Sequence, residues 1–205
     1  MLTVDNLVLV LTVLATAVMA ASAAVQAVRC EFDPIGSIFL SVTTAVGGGT
    51  IRDLLIGATP VFWLQDATYL TTAVPVSLLS FFAARRLKAG GGRRLRILAY
   101  LDAIGLALFT LVGIKVALVH GIAPHFAVVL GCVTGIAGGM FRDVLSGMTP
   151  IVLRKDIYAT LSLAGGALYV ALSMYVNDEI GVIVAFLAIA VSRIVVVANA
   201  KDPGA

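Results

Sequence analysis

Charged side chains are scarce in this chain. Of its 205 residues, 14 are lysine or arginine and 11 are aspartate or glutamate, so only 12% carry charge while 60% are hydrophobic. Soluble domains carry about 25% charged and about 45–50% apolar residues, which excludes a water-soluble globule here. The mean hydropathy of +1.08 agrees. Cysteine and histidine are scarcer still, at two each. Cys30 and Cys132 lie far apart without ligand spacing, and they read as cysteines of the apolar phase rather than as a disulfide or a catalytic thiol. His120 and His125 flank Pro124 with no cysteine or acidic partner nearby in sequence, so they read as loop residues. No metal site, cofactor or enzymatic activity is expected. The formal net charge of +3 does not point to nucleic acid, because most of the basic residues fall in one block between apolar runs, where they report topology instead.

What the chain has in quantity is long apolar runs. At about 20–25 residues per crossing, its length accommodates roughly seven transmembrane helices and no separate soluble domain. The runs divide at about residues 7–28, 35–62, 67–84, 98–119, 126–152, 157–176 and 180–197. They are too long and too evenly apolar for barrel strands, and open-edged sheet leaves backbone groups unpaired in lipid, so the expected fold is an all-α membrane protein. The first run follows a short segment whose only ionisable side chain is Asp5, unlike the basic start of a cleaved signal, and reads as the first crossing. The basic block at residues 85–96 belongs on the cytoplasmic side. Seven alternating crossings then put the N-terminus outside and the C-terminus inside an inner membrane. Arg29, Arg154, Lys155 and Lys201 fall inside on this assignment, and Asp66, His120, Asp178 and Glu179 fall outside.

The second and fifth runs share a motif. Gly48-Gly49-Thr50-Ile51-Arg52-Asp53 matches Gly138-Gly139-Met140-Phe141-Arg142-Asp143, and from 49 to 139 is 90 positions. The offset persists at Gly57 and Gly147, Pro60 and Pro150, Asp66 and Asp156, Pro34 and Pro124, and Thr44 and Thr134. Each unit holds three crossings, an odd number, so the second unit enters the membrane from the opposite side and the repeats are inverted. Repeat 1 covers about residues 5–88, a linker about 89–95, repeat 2 about 96–177, and an unpaired seventh helix about 179–198, all in one transmembrane domain. Inverted repeats with discontinuous helices recur in transport proteins. Gly47, Gly48 and Gly49, with Gly138 and Gly139, are therefore expected to break helices 2 and 5, which Pro60 and Pro150 would limit. From Gly49 to Pro60 is eleven residue steps, about 16 Å of helix and about half the hydrocarbon thickness, which places the break mid-membrane. The other reading of these glycines is close helix packing.

Arg52 and Asp53, with Arg142 and Asp143, put four ionisable residues just beyond the glycines, where exposure to lipid is costly. Neighbouring residues on a helix point about 100° apart, which favours pairs across the repeats such as Arg52 with Asp143. Such a network either holds the repeats together or, with opened backbone carbonyls, lines a path for a cation. Lys115 either snorkels toward the outer loop or stands in the pathway, where it would respond to voltage. Asp102 is placed near the inner rim. Arg193 lies near the inner end of the seventh run.

The paired glycine–Arg-Asp motifs, each followed by Pro60 or Pro150, and Asp102-Ala103-Ile104-Gly105-Leu106 resemble the bacterial and archaeal branch of the trimeric intracellular cation channel family. The similarity covers both three-helix repeats. It implies a homotrimer with one pore per seven-helix protomer around helices 2 and 5, passing monovalent cations, potassium above all. It further implies that residues 47–49 and 138–139 shape the pore and that Lys115 corresponds to a basic element of helix 4. Animal relatives carry a basic lipid-binding motif after their glycines, whereas this chain has Thr50-Ile51-Arg52-Asp53, so phosphoinositide regulation is not carried over. The expected partners are membrane lipids and further copies of the chain. Related bacterial sequences have been catalogued as possible glycine transporters, so a carrier of a small solute is the second reading and a non-transporting scaffold the third.

Overall fold

A computed structural model describes residues 4–87, 92–154 and 157–199. The linker glycines Gly90 and Gly91, with Lys88, Lys155, Asp156 and Lys201, lie outside the described residues. Every regular element among the described residues is a helix: α1 (Val4–Arg29), α2 (Pro34–Ile56), α3 (Phe62–Gln65), α4 (Thr68–Arg86), α5 (Arg93–Val119), α6 (Pro124–Leu145), α7 (Ile151–Arg154), α8 (Ala159–Leu172) and α9 (Asp178–Asn199). Five of them, α1, α2, α5, α6 and α9, are long and apolar enough to cross a membrane. The run expected at 157–176 is shorter as built, because α8 holds 14 residues, about 21 Å of helix, and gives way to turns from Ser173.

α2 and α6 start alike. Each has proline at its first position, where the missing N–H costs nothing, and the two prolines stand 90 positions apart. Asp33 caps α2 by accepting the Gly36 N–H at 2.6 Å. α5 is the most enclosed of the long helices and packs against α1, α6, α8 and α9, while α2 lies between α1 and α6. Leu106, Leu111, Val112 and Ile114 of α5 are buried in this centre. Thr68, at the start of α4, donates its backbone N–H to Asp66 at 2.8 Å, and the Thr68 hydrogen bonds hold the exposed Asp66 carboxyl below the usual carboxylate range.

The expected glycine breaks are absent: α2 runs unbroken through Gly47, Gly48 and Gly49, and α6 through Gly138 and Gly139. The reason is contact. A Cβ on Gly48 would sit 2.1 Å from the Thr134 carbonyl oxygen of α6, and a Cβ on Gly138 would sit 2.5 Å from the Thr44 carbonyl oxygen of α2. The missing side chains let the two backbones touch, which offsets the roughly 1 kcal/mol that glycine costs within a helix. The helices stop later, beyond the Arg-Asp pairs. α2 ends at Gly57, whose φ of 72° is left-handed and whose N–H returns to Asp53 and Leu54, and α6 ends at Ser146 before the left-handed Gly147. Pro60 and Pro150 accordingly do not limit the long helices. They come after the turn and precede the four-residue helices α3 and α7, so the runs expected at 35–62 and 126–152 are interrupted by the turns after Ile56 and Leu145.

Candidate functional site

The four charges beyond the glycines are buried, and they pair with their neighbours in sequence rather than across the motifs. Arg52 donates Nε and Nη2 to Asp53 Oδ1 at 2.9 and 2.7 Å. Arg142 donates Nε to Asp143 Oδ1 at 2.9 Å. An arginine side chain is long enough to curl around the helix to its neighbour, so the 100° offset between adjacent residues does not separate them. The other carboxylate oxygens serve the chain reversal. Asp53 Oδ2 accepts the Phe62 N–H at 2.9 Å and Asp143 Oδ2 the Ile151 N–H at 3.1 Å, tying the first residue of α3 or α7 back to the long helix. Each aspartate is thus both an ion-pair partner and an anchor for the short helix.

The two arginines differ in what else they touch. The Arg52 guanidinium lies 5.5 Å from the centre of the Phe62 ring. Arg142 reaches further, donating Nη1 to Ser22 Oγ of α1 at 2.7 Å and to Asp102 Oδ1 of α5 at 2.8 Å. Tyr158 donates its hydroxyl to Asp102 Oδ2 at 2.8 Å, and Arg193 of α9 stands 4.8 Å from the Tyr158 ring centre. Asp102, Tyr158, Ser22 and Arg193 therefore belong to the cluster. Asp102 was legible as a rare carboxylate in an apolar run, but its partners, Arg142 of α6 and Tyr158 in the turn before α8, were not. Arg142 Nη2 is 2.9 Å from Asp143 Oδ1 without hydrogen-bond geometry, and Arg193 Nε and Nη1 are buried without a hydrogen-bond partner among the described residues. A crevice beside this cluster, lined among others by Gly139, Arg142, Asp143, Val152 and Tyr158, is too narrow for a water molecule.

Lys115 forms a separate site. Its buried Nζ donates to the Tyr169 hydroxyl at 3.3 Å and ion-pairs with Asp178, while Tyr169 donates to Asp178 Oδ1 at 2.6 Å. The side chain reaches the partly exposed Asp178 at the start of α9, so one lysine connects α5, α8 and α9. Among the described residues there is no group of three or more His, Cys, Asp or Glu placed to hold a metal ion, and both cysteines are free thiols.

Comparison with known proteins follows the same division. A family model described as glycine transporter matches residues 9–85 and again 99–174, with starts 90 positions apart. The chain is 44% identical to a UPF0126 membrane protein of Vibrio cholerae over 74% of its own length and 62% of that protein's, so it spans less than two thirds of that relative. It is 42% identical to the UPF0126 inner membrane protein YadS of Escherichia coli K12, over 78% of this chain and 75% of that one. Among solved structures it resembles the TRIC trimeric intracellular cation channel orthologue from Rhodobacter sphaeroides, with a TM-score of 0.88, 36% identity, and coverage of 94% of this chain and 97% of the other.

Proposed function

Because the chain belongs to the prokaryotic trimeric intracellular cation channel family, we propose that it is a multi-pass inner-membrane cation channel with a path through each protomer. The observation that carries this reading is the pair of buried Arg-Asp sites on two glycine-apposed helices, together with Asp102. Ionisable groups at such depth are expensive in lipid and mark ion routes where they occur. The carboxylates supply negative charge that attracts a cation, and the arginines hold each carboxylate in place and prevent a permanently trapped ion. Left-handed turns at Gly57 and Gly147 interrupt the helices beside these carboxylates, where main-chain carbonyls can replace part of an ion's hydration shell. Potassium is the proposed permeant ion and no cofactor takes part.

The proposed topology has seven crossings as two inverted repeats plus α9, with the N-terminus outside. α4 and α8 complete the count beside the five longer apolar helices. The proposed assembly is a homotrimer in contact with membrane lipids, with no nucleic-acid role for the basic block.

Purified protein in liposomes should pass potassium down an imposed gradient without proton or sodium coupling, and single-channel recording should show discrete currents. A second reading, a carrier of a small solute such as glycine, is favoured by the description of the matching family model. Strictly coupled glycine uptake with no conductance would establish that reading and reject the channel.

A further inference from the structure

The short helices α3 and α7 fold back onto seats with different fillings. At the 90-residue offset Phe62 corresponds to Val152, while the residue that starts α7 and is anchored by Asp143, as Phe62 is by Asp53, is the neighbouring Ile151. The Phe62 ring lies so close to α2 that a Cβ on Gly49 would stand 2.5 Å from Phe62 Cε1. Tyr69 meets the ring edge-on at 4.7 Å between centres, and Arg52 lies 5.5 Å from its centre. In the other half the corresponding glycine faces polar atoms: a Cβ on Gly139 would meet Asp102 Oδ1 at 3.2 Å, Tyr158 Oη at 3.6 Å and Arg142 Nη2 at 3.7 Å. None of the three atoms nearest that position belongs to Val152, which with Ile151 lines the narrow crevice beside Arg142 and Asp143.

We propose that Phe62 is the apolar plug of the conduction path, seated on Gly49 over the Arg52–Asp53 pair, and that its displacement admits water and cations to Asp53. The inference rests on the channel reading. Three features suit the ring to this role. Its backbone is held by the hydrogen bond to Asp53, so the side chain can turn while α3 stays anchored. The ring's own contacts are dispersion and cation–π attraction, so it leaves its seat without abandoning a hydrogen bond. An aromatic group over a buried ion pair also excludes water from it, and an apolar constriction stops ions by dewetting. At the polar counterpart around Gly139 the aromatic residue is Tyr158, whose hydroxyl is hydrogen-bonded to Asp102, so the two halves of the proposed path are unequal: one is sealed by a ring free to leave its seat, the other by narrowness and a tethered ring.

The exchange Phe62→Val and its reciprocal Val152→Phe test this in the full-length protein reconstituted in liposomes, with potassium flux and single-channel open probability as readouts. Phe62→Val should raise open probability about tenfold, which corresponds to withdrawing about 1.4 kcal/mol of packing from the closed state. Val152→Phe should lower flux. The graded variant Phe62→Leu should fall between valine and the unaltered protein, and it carries the test if Phe62→Val does not fold. A conducting unaltered protein whose open probability stays unchanged across the folded Phe62 variants overturns the plug. Absence of potassium current from the unaltered protein overturns the channel reading itself, and the plug with it.

Discussion

Arg52 and Arg142 occupy matching positions with unequal support. Among the described residues Arg52 has one carboxylate, Asp53, whereas Arg142 has two, Asp143 and Asp102, with Ser22 besides. The difference originates in sequence: position 12, which corresponds to Asp102, is a threonine whose hydroxyl donates to the Val8 carbonyl of its own helix. Asp53→Asn should therefore destabilise the protein by about 3–5 kcal/mol, because it leaves a buried guanidinium without a charged partner. Asp143→Asn should cost only about 1–3 kcal/mol, since Asp102 remains. Thermal unfolding in detergent measures both, and an equal loss would contradict the asymmetry. A selectivity change in folded Asp53→Asn protein would place that carboxylate on the ion path, whereas impaired assembly with unchanged conductance would make it structural. The four charges were legible from their rarity and their repetition. Their pairing was not, because a rule about helix faces describes where side chains leave the backbone and says nothing of how far a long arginine travels. Tyr158 and Arg193 were invisible as members of the cluster for a related reason: one stands in the turn before α8 and the other on α9, where packing decides position and no motif marks it.

At the scale of the element, the glycines taught the reverse of their usual lesson. The inverted repeat pointed to breaks, with close packing as the second reading, and the two backbones in contact at Gly48 and Gly138 choose packing. Where the helix ends is decided a few residues later by left-handed glycines, which are single residues inside a longer pattern and weaker signals than a run of three. Alanine ordinarily gains about 1 kcal/mol over glycine inside a helix. At Gly48 and Gly138 that gain is overwhelmed, since the new methyl meets a carbonyl oxygen of a neighbouring backbone that cannot swing aside, and overpacking of this kind costs about 1–3 kcal/mol or more. Gly48→Ala and Gly138→Ala should each lower the unfolding temperature, while Gly181→Ala, whose Cβ would meet Tyr169 ring atoms at an ordinary 3.7 Å, should be neutral or stabilising. A tolerated alanine at both positions 48 and 138 would show that the helices are not held at this distance.

On the proposed arrangement the chain is two similar units and a remainder, and the remainder is where local reasoning had least to offer. α9 has no counterpart in the repeat, yet Lys115 and Tyr169 hold its first residue, Asp178, and its Arg193 stacks on Tyr158 beside the Arg142 cluster. The helix is thus fastened at its start to one polar site and near its end to another, which makes it a strut across both rather than a cover. With seven crossings, as proposed, the odd helix also decides topology, since six would return the chain to its starting side. On the proposed arrangement the loop after α1 and the loop after α5 face opposite sides of the membrane, with Glu31 inside and His120 outside. Both are surface positions: Glu31 and His120 are exposed among the described residues. In a background with Cys30 and Cys132 replaced by serine, His120→Cys should react with a membrane-impermeant maleimide added to intact spheroplasts, and Glu31→Cys should react only after lysis. The two sites are separated by α2, α4 and α5, an odd number of crossings, so labelling of both from outside would remove α4 from the crossings and with it the inverted repeat. Labelling in the opposite sense would keep the repeat and reverse the protein, placing the basic block at residues 85–96 outside, against the charge rule that oriented it.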